Sequence, residues 1–283
     1  PYANSTAAAR TLGAPVYSRL LAYESGPGKA RVSFNTVPDV AEFTQAPDAR
    51  TFIVRINPRA RFTAPVSRDI TAADVKASAE RALAAATDDA LGLSVIEGIE
   101  TPDQRTVVFR LKRPFGAFAQ VLADARGLLI LPVTTTKVFD PARQMVGSGP
   151  FTLRAHEPGV GAGYQRNSEW HRGPEVPFLD GLQISFLNDA SAALNQFLGG
   201  NIDMVSVPSA ELRRVRDGVK QATFDIVPPL SIQNITFSGL DVDAPWRDLR
   251  VRRGFAETHV DHDLLDLGHR HRIGVAELLA ERR

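Results

Sequence analysis

The chain has 283 residues, 43% of them hydrophobic and 23% charged, enough apolar material for one large core or two smaller ones and too much for a disordered chain. Lys and Arg number 33 against 32 Asp and Glu, a formal net charge of +1, so no charge surplus points to nucleic acid or to an anionic membrane. Cysteine is absent, which excludes disulfides, thiolate nucleophiles and cysteine-based zinc sites.

Residues 1–9 lack the basic start and apolar stretch of a secretory signal, so the expectation is that a signal has been removed or that the chain begins downstream of one. Residues 5–22 read as a helix, with Ser5 or Thr6 as N-cap and Leu12, Val16 and Leu20 at helical spacing, kinked or restarted at Pro15. Residues 51–57 alternate Phe52, Val54 and Ile56 onto one face, the period of a half-buried strand. Thr71, three residues before Asp74, makes a capping-box-like start for a helix over 71–85, whose Val75, Ser78, Ala79, Ala82 and Leu83 recur at helical spacing. Ile96–Glu100 and Thr106–Leu111 flank Pro102-Asp103-Gln104-Arg105 and predict a hairpin. The longest apolar run, residues 127–133, is strand-sized and far below the roughly 18 to 20 residues that span a bilayer.

After Gly147-Ser148-Gly149-Pro150, residues 151–154 and Gly161–Arg166 read as paired strands. Strands and helices then alternate: a strand at 182–187, a helix capped by Asp189 and ending at Gly199-Gly200, a strand at 202–207, a second helix opening at Ser209, and strands at 223–227 and 232–237. That order predicts a βαβ-type arrangement and an α/β class with a mixed sheet, against an α+β texture over 23–145.

Four blocks together resemble the family 5 bacterial solute-binding proteins, the group containing dipeptide, oligopeptide and nickel-binding subunits of ABC importers. The first is the run from Val16 through Tyr17, Leu20 and Leu21 to Tyr23. The second joins Pro47-Asp48-Ala49-Arg50-Thr51-Phe52 to Arg61-Phe62 and Thr71-Ala72-Ala73-Asp74-Val75. The third is Gly147-Ser148-Gly149-Pro150-Phe151 with Arg166-Asn167-Ser168-Glu169-Trp170 and Leu179-Asp180-Gly181-Leu182, and the fourth runs from Leu194 to Gly200-Asn201-Ile202-Asp203-Met204. Their order matches the family's over most of the chain, to about residue 265.

The resemblance implies a periplasmic binding protein-like (class II) two-lobe α/β fold with a mixed sheet, incomplete at its C-terminal side. Its implied parts are a first lobe from 1–22 and 146–247, an inserted α+β subdomain over 23–145, and over 248–283 the start of a second lobe, truncated or frameshifted. Residues 248–263 match the family, whereas 268–283 depart from it, so the tail is either a frameshifted end or a genuine alternative terminus. The implied function is the substrate-binding subunit of a peptide-type ABC transporter. Such a protein is periplasmic or at the cell surface, lipid-anchored in some precursors. It captures a peptide or other small solute as a monomer and delivers it to permease subunits, with no cofactor, no nucleic acid and no chemistry of its own.

Candidate ligand-binding residues are Pro15 and Tyr17 in the first block, Gly147, Ser148 and Gly149 on the hinge side, Gln233 and Asn234, whose amides can pair with a peptide backbone, and Trp246, an aromatic face in a proline-containing loop. His259, Asp261, His262, Asp263, His269 and His271 form a His/Asp cluster, but Asp261 and Asp263 fall where a helix N-cap is expected, so no metal site is assigned. Gly147-Ser148-Gly149 and Gly159-Val160-Gly161-Ala162-Gly163 lack phosphate-loop spacing and precede strands, the pattern of turn or hinge glycines. No Gly-x-Ser-x-Gly elbow is present, and His156 and His171 have no sequence-adjacent partner, so no catalytic residue is assigned. Two rival readings are a hydrolase-type enzyme on an α/β scaffold and a sensory or chaperone-like binding protein without transport.

Overall fold

Residues 11–13 finish a helical turn that stops at Gly13, whose carbonyl accepts the N–H groups of Val16 and Tyr17, both at 3.0 Å. The expected helix over 5–22 therefore ends nine residues early among the residues the computed structural model describes, which are 11–26, 29, 33–85, 92–124, 127–133, 138–140, 144–225 and 243–258. The physical reason is competition for backbone groups. The carbonyls of Pro15, Val16, Ser18, Arg19 and Leu20 accept N–H groups from Phe151, Gly149, Ile130, Val40 and Ala41, so they have no share in a helical ladder. The chain leaves this run as β1 (Leu21–Tyr23), antiparallel to β2 (Thr36–Pro38) with Leu21 opposite Pro38.

β3 (Ala41–Asp48), β4 (Thr51–Ile56), β5 (Ile96–Glu100) and β6 (Thr106–Leu111) form an antiparallel sheet in the order β3-β4-β6-β5. The period-two pattern of β4 does what the sequence predicts: Phe52, Val54 and Ile56 are buried on the face shared with Val107, Phe109 and Leu111 of β6. The β5–β6 hairpin turns on Asp103, whose carboxylate accepts the N–H groups of Arg105 (2.7 Å) and Thr106 (2.8 Å). α1 (Ala72–Ala85) lays Val75, Ser78, Ala79 and Ala82 on the buried side. α2 (Phe118–Ala123) brings Phe118 edge-on to Phe52 (4.9 Å between centroids) and Phe109 (5.5 Å). These side chains, with Leu128 and Ile130, make the larger of two hydrophobic clusters; each fully buried large apolar side chain contributes about 1.5–3 kcal/mol.

A third sheet is β7 (Phe151–Glu157), β8 (Gly161–Arg166) and β9 (Gly181–Ser185), antiparallel in that order. Its inner face joins Leu12, Val16, Tyr17 and Leu131 in the smaller cluster. α3 (Ala190–Leu198) starts where expected, because the Asp189 carboxylate accepts the Ala192 N–H at 2.7 Å. It ends at Gly199, followed by Gly200 with a φ of 73°. A 3-10 turn at Ser209–Glu211 leads into α4 (Leu212–Gly218).

The expected strand at 202–207 is not formed; residues 201–208 have no regular structure apart from bends. A strand exists only where a neighbour takes its N–H and C=O groups, and no described segment runs beside this one, so the βαβ unit is not assembled among the described residues. Residues 223–225 are likewise irregular, and the expected strand at 232–237 lies outside the described residues. The chain divides into two units, Pro1–Val227 and Pro228–Arg283. In the second, a 3-10 turn at Pro245–Arg247 precedes α5 (Leu249–Thr258), and Arg252 donates to the carbonyl of Trp246 at 2.8 Å. No helix among the described residues is long and apolar enough to cross a membrane.

Candidate functional site

Residues 15–20 run between the two hydrophobic clusters, with Val16 and Tyr17 in the smaller and Leu20 in the larger. Residues 147–151 lie directly against them. Gly149 donates its N–H to the Val16 carbonyl (2.8 Å), Phe151 to that of Pro15 (3.0 Å), and the Ser18 hydroxyl donates to the Ser148 carbonyl (3.0 Å). The backbones come so close that a Cβ on Gly147 would lie 2.1 Å from the Val16 oxygen, and one on Gly149 2.7 Å from the Pro15 oxygen. Here glycine is demanded by close approach, not by turn geometry.

Two further struts hold the same place. Thr63 gives its N–H (2.9 Å) and hydroxyl (3.2 Å) to the Gly147 carbonyl, and the Asn167 amide donates to the Gly149 carbonyl at 2.8 Å. Within this frame Ser148 is 1% exposed, and its hydroxyl has no hydrogen-bond partner among the described residues. Tyr17 packs its ring beside Gly13 and Gly147, and burial pushes its phenol up to about 12. It stays neutral at physiological pH and supplies no proton-transfer group there.

The sequence therefore named five residues, Pro15, Tyr17, Gly147, Ser148 and Gly149, that the fold gathers in one place although they are over 120 positions apart. Trp246 belongs to the second unit, half-buried in its 3-10 turn. Gln233, Asn234 and the His/Asp cluster at 259–271 lie outside the described residues. Among the described residues no group of three or more His, Cys, Asp or Glu is arranged to hold a metal.

Two buried carboxylates stand out: Asp39, which sequence reading did not single out, and Asp74, read there only as part of a helix start. Asp39, after β2, accepts the Arg19 N–H (3.0 Å) and faces His171 Nε2 at 3.1 Å and the Arg172 guanidinium at 3.5 Å. Burial is the largest single influence and pushes this carboxyl up; the hydrogen bonds from His171 and Arg19 and the nearby positive charge outweigh it and hold it below the usual range. His171 is buried too, and its Nδ1 has no partner among the described residues. Asp74 is fully buried and takes both guanidinium nitrogens of Arg68 (2.7 Å each), the Thr71 N–H (2.9 Å) and hydroxyl (2.8 Å), and the Val133 N–H (2.8 Å). Asp74 thus serves as an anchor between α1 and residue 133 as well as the expected cap. A hollow of about 470 Å³ beside Asp48, Thr51 and Pro114 is rimmed by charges that already pair, Arg110 with Glu100 at 3.0 Å and Arg50 with Glu97 at 3.9 Å. Its lining charges balance in number, Asp48 and Glu97 against Arg50 and Arg110.

Residues 35–257 match the bacterial extracellular solute-binding proteins, family 5 middle. The probable D,D-dipeptide-binding periplasmic protein DdpA of Escherichia coli K12 is 28% identical over 216 residues, covering 73% of this chain and 40% of that protein. A probable ABC transporter-binding protein of Deinococcus radiodurans is 38% identical over 86 residues, 27% of this chain and 14% of that one. The chain thus spans two-fifths or less of the length of these relatives. Among solved structures, the binding protein AgaA of A. tumefaciens R10 in complex with agropinic acid superposes with a TM-score of 0.66 at 26% identity, over 77% of this chain and 43% of that one. The oligopeptide-binding protein AppA of Bacillus subtilis in complex with a nonapeptide gives 0.62 at 20% identity, over 76% and 42%, which speaks for fold alone. The fold class is that of the periplasmic binding proteins, mixed α and β with several sheets among the described residues.

Proposed function

This chain belongs to the bacterial extracellular solute-binding proteins of family 5, and from that premise we propose that it is part of a receptor that captures a peptide-like solute outside the cytoplasmic membrane for an ABC permease. The observation that carries the reading is the continuous family match over residues 35–257, supported by the agreement in fold with ligand-bound receptors. Physically the task is a population shift. A ligand that touches both lobes only when they are closed drives closure by its differential affinity, and no bond need be made or broken.

In this reading the protein is a periplasmic or cell-surface monomer whose partners are its solute and the permease. Among the residues that the sequence named, Ser148 is the polar group best placed to gain from a ligand or a bound water, since its hydroxyl is buried and has no partner among the described residues, and Gly147, Gly149, Pro15 and Tyr17 pack closely around it. Gln233, Asn234 and Trp246 are proposed as further ligand contacts on the strength of their chemistry.

A second solute class has a specific observation in its favour: the agropinic acid receptor is more similar in sequence to this chain than the nonapeptide receptor is, 26% against 20%. The test is calorimetric titration of the protein, as its own cell makes it, with di- to nonapeptides and with agropinic and mannopinic acids, alongside assays of peptide and ester turnover. One-to-one binding of one class without turnover is the expected result. Binding should raise stability by about 2.7 kcal/mol at a ligand concentration 100-fold above Kd. Catalytic turnover abolished by replacing one Ser or His would overturn the receptor reading in favour of a hydrolase.

A further inference from the structure

We draw no further inference here: the strongest candidate, the outer edge of β9 with the exposed Phe178 and Leu179 at its start, is an apolar surface for which nothing in the structure shows what covers it.

Discussion

Replacing Asp74 by Ala tests whether a buried carboxylate, not helix propensity, holds α1 against the rest of the larger cluster. The substitution strips an acceptor from the Arg68 guanidinium, from the N–H and hydroxyl of Thr71 and from the Val133 N–H, all between 2.7 and 2.9 Å away. Breaking a buried ion pair from one side costs about 3–5 kcal/mol. Arg68 is 35% exposed and regains water, so the lower end, about 3 kcal/mol, is expected. For a chain of this size that is roughly a 6–12 °C fall in Tm. Asp74→Asn, which keeps the volume but turns a donor toward donors, should cost about 2 kcal/mol. Urea and thermal unfolding of both variants, read by far-UV circular dichroism, measure the loss. The sign with pH follows from the carboxyl itself. Burial pushes it up most, but the hydrogen bonds from Arg68, Thr71 and Val133 outweigh that and hold it below the usual range. Its stabilisation is therefore complete above the ordinary Asp value of about 3.9 and is lost as pH falls through the depressed folded value. Asp74→Asn should flatten that acid limb. A Tm within about 2 °C of the parent for Asp74→Ala would refute the argument.

Gly147→Ala should destabilise by at least about 1–3 kcal/mol, because its Cβ would sit 2.1 Å from the Val16 oxygen, backbone that cannot swing aside; a parental melting curve would show that the two segments are not in close contact. Asp39→Asn should cost about 1.5–3 kcal/mol near neutral pH and less in acid, since the Asp39 carboxyl is held below its usual range and its contribution vanishes as pH falls through that value. Unfolding curves from pH 7 to about 3 would expose a pH-independent loss, the contrary outcome. Ser148→Ala should leave stability within about 0.5 kcal/mol, as its hydroxyl has no partner to lose among the described residues. The same variant titrated with the solute decides whether Ser148 belongs to the binding site, where weaker binding is expected and an unchanged Kd removes it.

Local chemistry was legible wherever the partner groups lie close in sequence. The alternation of Phe52, Val54 and Ile56, the turn at Asp103, the pairing of β7 with β8 and the Asp189 cap all form as the residues demand, because each is decided within a few positions. Failures came where distant backbone competes. Residues 14–20 have helical spacing, yet the carbonyls of Pro15, Val16, Ser18, Arg19 and Leu20 are taken by residues 19 to 136 positions away, and the 202–207 run has strand composition without a described neighbour to pair with.

The four family blocks fix, from sequence alone, which protein family this is, since order and spacing of short motifs survive where overall identity is low. Yet the blocks do not say why their residues are there. Only the tertiary structure turned Gly147 and Gly149 from turn or hinge glycines into points where two backbones touch, and gave His171 its partner Asp39, 132 positions away. It also converted the Asp74 cap into a five-bonded buried anchor. Sequence carries the short-range periodicity and capping that set each element; close approach and burial of charge depend on which distant segments meet, and that is decided only when the chain has folded.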